Sequence, residues 1–123
     1  MQRSKSEIYL HFVWGTWRRQ SILTPGIERA VFRCIDMECR RMKCDVLAIG
    51  GMPDHVHLVL KVPAMVSAAG VMQHVKGTSS TFGRDHCGER RTFGWQDHYG
   101  VFSFSGGEKK RIIAYVLNQK THH

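Results

Sequence analysis

The chain has 123 residues, 42% hydrophobic and 23% charged. That is the composition of one globular domain; it excludes a disordered or collagen-like chain and leaves no room for two well-packed domains. Lys and Arg number 18 against 10 Asp and Glu, a net charge of +8, which points to a polyanionic partner, nucleic acid first, with scattered solvated charge as the plainer reading.

No apolar run approaches the ~20 residues that span a bilayer. Met1 to Glu7 carries no apolar stretch of signal-peptide type, so the expected location is cytoplasmic. Cys34, Cys39, Cys44 and Cys87 form no C-x-x-C pair. Buried reduced thiols are expected of them, rather than a disulfide framework or a zinc site.

Tyr9 to Trp17 is rich in aromatic and β-branched residues and predicts a strand. Thr24-Pro25 has the form of an N-cap followed by proline at the first helical position. Ile27, Val31, Cys34, Ile35 and Met42 then recur at helical spacing, predicting a helix from about Pro25 to Arg41. Asp45 to Ile49 is a short apolar strand, residues 50–54 are a turn, and His55 to Val62 is a further strand. Ser67 is placed to cap a second helix ending near Gly83, and Arg84 to Arg91 reads as a basic loop. Phe93 to Phe104, interrupted by Gly94 and Gly100, predicts an irregular strand. Ser105 and Glu108 have capping-box spacing before a last helix reaching about Gln119. The order β-α-β-β-α-β, followed by an extra helix, is that of a single α+β domain: a ferredoxin-like split βαβ with an antiparallel sheet and helices on one face. That fold serves many activities, so the site has to decide the function.

His55 and His57 are i and i+2 in a strand and share a face, so two imidazoles can bind one cation. Val56, Leu58 and Leu60 would face the helices. The spacing alone is weak, because eight histidines in 123 residues produce such pairs by chance. Within the last helix, Ile113, Val116 and Leu117 form a narrow apolar arc. Tyr115 lies off its centre and shares a face with Gln119, one turn on. A tyrosine at the edge of a core is the bland reading; a phenol presented at a site, with an amide beside it, is the functional one. His11, His74, His86 and His98 have no partner at ligand spacing.

Four segments carry a resemblance: MPDHVHLVL (residues 52–60), VKGTSS (75–80), WQDHYGVFSFS (95–105) and YVLNQKTHH (115–123). In this order and separation they resemble the HUH, single-tyrosine transposases of bacterial insertion sequences that move as single-stranded DNA. REP-associated tyrosine transposases are close relatives. The resemblance implies a ferredoxin-like domain whose added C-terminal helix carries the nucleophile, Tyr115, and a divalent cation, Mg²⁺ or Mn²⁺, held by His55, His57 and Gln119. It also implies metal-dependent nicking and rejoining of single-stranded DNA with hairpin-forming ends, through a 5′-phosphotyrosine intermediate, in a homodimer. Tyr115 would then dock against its own or its partner's histidines. Two other readings remain: a non-catalytic or domesticated single-strand-binding relative, and a metal nuclease that uses water.

Arg18, Arg19, Lys76, Arg84, Arg90, Arg91 and Arg111 are candidates for contact with DNA phosphates. Lys76 leads because it lies inside a matching segment. Trp14, Trp17, Phe93, Trp95 and Phe104 are candidates for base stacking, with core packing expected for most of them. Tyr99 is a second potential nucleophile, less suited because it precedes a glycine in an expected strand.

Overall fold

A computed structural model describes residues 5–86 and 93–122, with the side chain of His122 excepted. Cys87, Arg90, Arg91 and His123 lie outside the described residues. Four strands, β1 (Ile8–Gly15), β2 (Asp45–Met52), β3 (His55–Val62) and β4 (Gly100–Phe104), form one antiparallel sheet in the order β2-β3-β1-β4. With α1 (Pro25–Arg41) between β1 and β2, and α2 (Ala68–His86) between β3 and β4, this is the expected split βαβ arrangement. Two further helices, α3 (Lys109–Leu117) and α4 (Gln119–His122), end the described chain. No described helix is long and apolar enough to cross a membrane.

Strand alternation builds two unequal layers. Val56, Leu58, Leu60 and Val62 of β3 join Phe12 and Trp14 of β1 in the main core, under Val31 and Ile35 of α1 and Val71, Met72 and Val75 of α2. The other residues of β3 turn to the opposite face, where Val59, Ala48 and Val116 form a much smaller cluster under α3. β2 shifts register between Val46 and Ala48. Such an irregularity bends a strand and re-aims its side chains; here Leu47 and Ala48 both join the α3 cluster. At Gly50 a Cβ would collide with the carbonyl oxygen of Val116. Only glycine allows α3 to lie this close to the sheet.

Local expectations fared unevenly. α1 has the predicted bounds, with Pro25 in its first turn. Thr24 occupies the N-cap position but makes no side-chain capping bond. Ser67 does cap α2, its Oγ accepting from the Gly70 N–H at 3.0 Å. The irregular strand predicted over Phe93 to Phe104 is shorter: only Gly100–Phe104 is strand, and Trp95 makes an isolated bridge to Thr16. The capping box does not form. Ser105 makes no side-chain cap, a short 3₁₀ turn precedes α3, and the Glu108 carboxylate instead accepts from Arg111 at 2.9 Å. The last helix is also not continuous, breaking at Asn118 (φ −105°, ψ 24°).

Most of the candidate stacking aromatics are core residues. Trp14, Phe93 and Trp95 are buried, and the Trp95 Nε1–H donates to Ser79 Oγ at 2.9 Å. Phe104 stacks on Tyr9. Trp17 is the exception at 45% exposed, with the Arg18 guanidinium over its ring. Phe102, not singled out by the sequence, is 60% exposed. Cys39 and Cys44 are buried free thiols and Cys34 is partly buried.

Candidate active site

Three segments meet at the Gly15 end of β1. The first leaves β1 as a tight turn through Trp17–Arg19, pinned at Thr16: its N–H donates to the Asp54 carbonyl at 2.9 Å and its Oγ1 to the Gln20 carbonyl at 2.6 Å. The second is the β2–β3 turn, which carries Asp54 into His55. The third is residues 94–96, tied to β1 by Trp17 N–H to Gly94 O (2.8 Å) and Gln96 N–H to Gly15 O (2.9 Å). Together with β3 and α3 they border an open cavity of about 300 Å³ whose walls include Gly15, Arg19, His55, His57, Gln96 and Tyr115. A Cβ at Gly15 would press within 2.8 Å of Gln96 Oε1 and 2.9 Å of Arg19 Cδ.

His55 and His57 share the face opposite the main core, as their spacing predicts, with ring centroids 5.2 Å apart. The Tyr115 ring stands edge-on to His57 at 5.7 Å. In this structure the Tyr115 ring lies against His57 and His11 of the same chain. Tyr115 is 44% exposed.

Gln119 departs from the expectation of a face shared with Tyr115. It is 1% exposed and lies beyond the break at Asn118. The Tyr115 carbonyl, which an unbroken helix would pair with the Gln119 backbone N–H, accepts the Gln119 side-chain Nε2 at 3.2 Å. Lys120 anchors the same segment, donating to Glu28 of α1 at 2.7 Å and to the Gly51 carbonyl at 3.0 Å.

The histidines have outer partners that fix their chemistry. His55 Nδ1 lies 2.8 Å from Asp54 Oδ1. An ionised carboxylate only accepts, so this nitrogen carries the proton and His55 can ligate through Nε2. Arg19 completes the cluster, 3.2 Å from Asp54 Oδ2 and 3.4 Å from His55 Nδ1. Burial pushes the Asp54 carboxyl up, but the His55 hydrogen bond and the Arg19 charge outweigh it and leave its pKa lowered. Arg18 and Arg19 have φ of 56° and 54°. Left-handed backbone at two successive non-glycine residues costs about 1–2 kcal/mol each; the Thr16 and Asp54 bonds hold the turn in that form.

His11, set aside in the sequence for want of a partner, has one here. Its Nε2 is 2.9 Å from His57 Nδ1, and burial lowers its pKa. The signal was the topology. In a split βαβ, β1 pairs with β3, and period-two alternation sets His11 on the same face as the H-x-H pair.

The remaining basic candidates separate. Arg19 lines the cavity. Lys76 bonds the Gln96 carbonyl and lies over the Tyr99 ring, and burial lowers its pKa against the opposing pull of Asp97; it anchors the 94–96 segment. Arg84, with Lys76 and Ser80, lines a second groove that shares Gln96 with the cavity. Arg111 is exposed and paired with Glu108, outside the cavity walls.

Among the described residues, no group of three or more His, Cys, Asp and Glu side chains is placed to hold a metal ion. The cavity holds two imidazoles with Nδ1 engaged by outer partners, and the buried Gln119 carboxamide lies outside its walls. Those imidazoles suit a divalent cation that accepts nitrogen ligands.

Comparison with known proteins decides the family. The family model described as "Transposase IS200 like" matches residues 4–119. The chain belongs to the IS200-like transposase family. Two solved structures show the same fold. A candidate transposase from Deinococcus radiodurans R1 superposes with a TM-score of 0.76 at 20% identity, covering 97% of this chain and 98% of that one. A REP-associated tyrosine transposase bound to a REP hairpin gives 0.73 at 15% identity, covering 100% of this chain and 73% of that one. No curated protein matches the sequence. The chain is thus a DNA transposase of the IS200-like family.

Proposed function

We propose that this transposase nicks and rejoins single-stranded DNA through a 5′-phosphotyrosine formed on Tyr115, with a divalent cation held by His55, His57 and Gln119. The observation that carries the reading is the Tyr115 ring standing 5.7 Å from the His57 ring at a cavity that His55 also lines. A nucleophile beside an electrophile-binding site is the arrangement phosphoryl transfer needs.

The donor set fits Mg²⁺ or Mn²⁺, with imidazole favouring Mn²⁺ by ligand softness. When bound, such an ion would polarise a non-bridging phosphate oxygen and stabilise the charge that develops there. The protein supplies the rest. The Tyr115 phenol oxygen attacks phosphorus and gives up its proton. The bond from phosphorus to the 3′ oxygen breaks, and that oxygen leaves as a 3′-OH. The 5′-phosphoryl group stays on Tyr115, so a 3′-OH can later attack it and release the tyrosine without an outside energy source. Arg19, oriented by Asp54, presents a fixed positive charge to the phosphate.

Single-stranded DNA with hairpin ends is the proposed partner; the relative bound to a REP hairpin supports it. Arg18, next to Arg19 of the cavity wall, and Arg84, in the neighbouring groove, are proposed as phosphate contacts, with Trp17 as a stacking platform for an unpaired base. Lys76 acts through the segment it anchors, and Arg111 is a peripheral contact. The proposed working unit is a homodimer. In support, β4 is an edge strand that exposes Val101 and Phe102.

A covalent-adduct assay tests the reading. The protein is mixed with single-stranded fragments of the DNA flanking its gene, with Mg²⁺, Mn²⁺ or chelator, and run on a denaturing gel. Protein joined to DNA that needs both the metal and Tyr115 is expected. Cleavage that survives Tyr115→Phe would establish a water-using nuclease instead. Binding with neither cleavage nor adduct would establish a binding module.

A further inference from the structure

We propose that His11 is a positioning residue: its Nε2 accepts the Nδ1–H of His57 and so fixes the ring orientation and tautomer in which His57 presents Nε2 to the cation. The inference rests on the metal-dependent reading above and assigns a role to a residue outside the H-x-H pair, the tyrosine and the glutamine.

The geometry comes from the sheet. Val13 pairs with His57 and His11 with Val59 across β1 and β3. His11 and His57 are therefore diagonal neighbours on one face, the relation in which long side chains meet. Their nitrogens are 2.9 Å apart and their ring centroids 5.1 Å. The His11 ring is itself confined, with Phe102 at 6.3 Å and Tyr115 at 6.4 Å.

One proton lies between the two nitrogens, and its owner decides what His57 can do. If His11 donates, His57 carries its proton on Nε2 and can only donate a hydrogen bond into the cavity. If His57 donates, its Nε2 lone pair is available to a cation. His55 has the same arrangement, with Nδ1 committed to Asp54. Two adjacent histidines, each held at Nδ1 by an outer partner, would each have Nε2 as the nitrogen left for a cation. An outer acceptor that orients a ligating imidazole in this way typically accounts for a 10–100-fold factor in metal affinity.

The test uses the full chain, its His11→Phe variant, which keeps a ring but removes the acceptor, and His11→Gln, whose Oε1 restores an acceptor. Far-ultraviolet circular dichroism confirms the fold of each. Imidazole ¹⁵N–¹H correlation spectra of the metal-free proteins read the His57 tautomer, and paramagnetic resonance titration reads Mn²⁺ affinity without DNA. The expected result is an Nδ1–H tautomer of His57 in the wild type, lost in His11→Phe and restored in His11→Gln. Mn²⁺ binding should be about 10–100-fold weaker in His11→Phe and return to within a few fold in His11→Gln. A wild type that binds Mn²⁺ with His57 protonated at Nε2 overturns the role of His11 alone. So does a His11→Phe variant with unchanged tautomer and affinity. A wild type that binds no Mn²⁺ overturns the metal-dependent reading, and with it the purpose assigned to His11.

Discussion

The two faces of one sheet do different work. On the α1 and α2 side, Phe12, Trp14, Val56, Leu58 and Leu60 interlock with helix residues in a dry, continuous core. On the α3 side, the apolar cluster is Ala48, Val59 and Val116 with a partly buried fringe, and the space beside it holds His11, His57 and Tyr115. β3 belongs to both, changing role at every residue. Stability is concentrated on one face, which frees the other to keep polar side chains, a partly exposed tyrosine and a cavity. α3, the helix of Tyr115, rests on the smaller layer: a close approach at Gly50, the buried Val116 with Ile112 and Ile113 beside it, and, just beyond its end, the Lys120 bonds to Glu28 and Gly51.

The sharpest way to break this comparison is to change one residue on each face. Tyr115→Phe should abolish the covalent adduct while leaving stability within about 0.5 kcal/mol, because it removes one oxygen from an exposed side chain and keeps the ring beside His57. Leu58→Ala should do the reverse. Leu58 is fully buried in the main core, and its truncation should cost about 2–5 kcal/mol in urea unfolding. Adduct formation per folded molecule should stay near wild type. A Leu58→Ala protein that is stable but inactive would show that the faces are not separable.

Gly50→Ala sharpens the comparison at the place where the faces are coupled. The added methyl meets the Val116 carbonyl, so α3 must move outward. Overpacking of this kind costs about 1–3 kcal/mol. Displacing Tyr115 by about 1 Å can cost about 10²-fold in rate. The expected result is a folded protein whose adduct yield falls far more than its stability. Wild-type activity in Gly50→Ala would mean that the docked position of α3 is not the one that reacts.

Local patterns made the main face legible in the sequence. Alternation over residues 55–62 assigned Val56, Leu58 and Leu60 to the core, and Pro25 marked the start of α1, because both signals act within a few residues. The site face was half legible. The H-x-H pair and Tyr115 were singled out by spacing and given roles by resemblance, but His11 was not, because its partner is 46 positions away and register alone brings the two together. The break at Asn118 was missed for a related reason. Helical periodicity continues through 115–119, whereas the backbone departs from the helix at Asn118 and the Gln119 side-chain amide takes the Tyr115 carbonyl. Ser105 and Glu108 had the right spacing for a capping box, but Arg111 took the Glu108 carboxylate.

The smallest expected effect tests the dryness of the main core through pH. Cys39 is fully buried there, and burial, reinforced by the nearby Cys44, pushes its thiol from 9.0 up to about 12. The folded state thus holds a proton that the unfolded state has lost once the pH exceeds 9. Stability must fall as pH rises from the unfolded value toward the folded one, by up to about 1.4 kcal/mol per pH unit. Urea unfolding at pH 8 and pH 10 should show this loss in the wild type and a shallower one in Cys39→Ala, which has no proton to release. In the folded protein at pH 8, Cys39 should also resist thiol reagents until denaturant exposes it, since the thiolate is the reactive species. Equal pH slopes in the two proteins would mean that water reaches Cys39. The main core would then be no drier than the face that carries the candidate site.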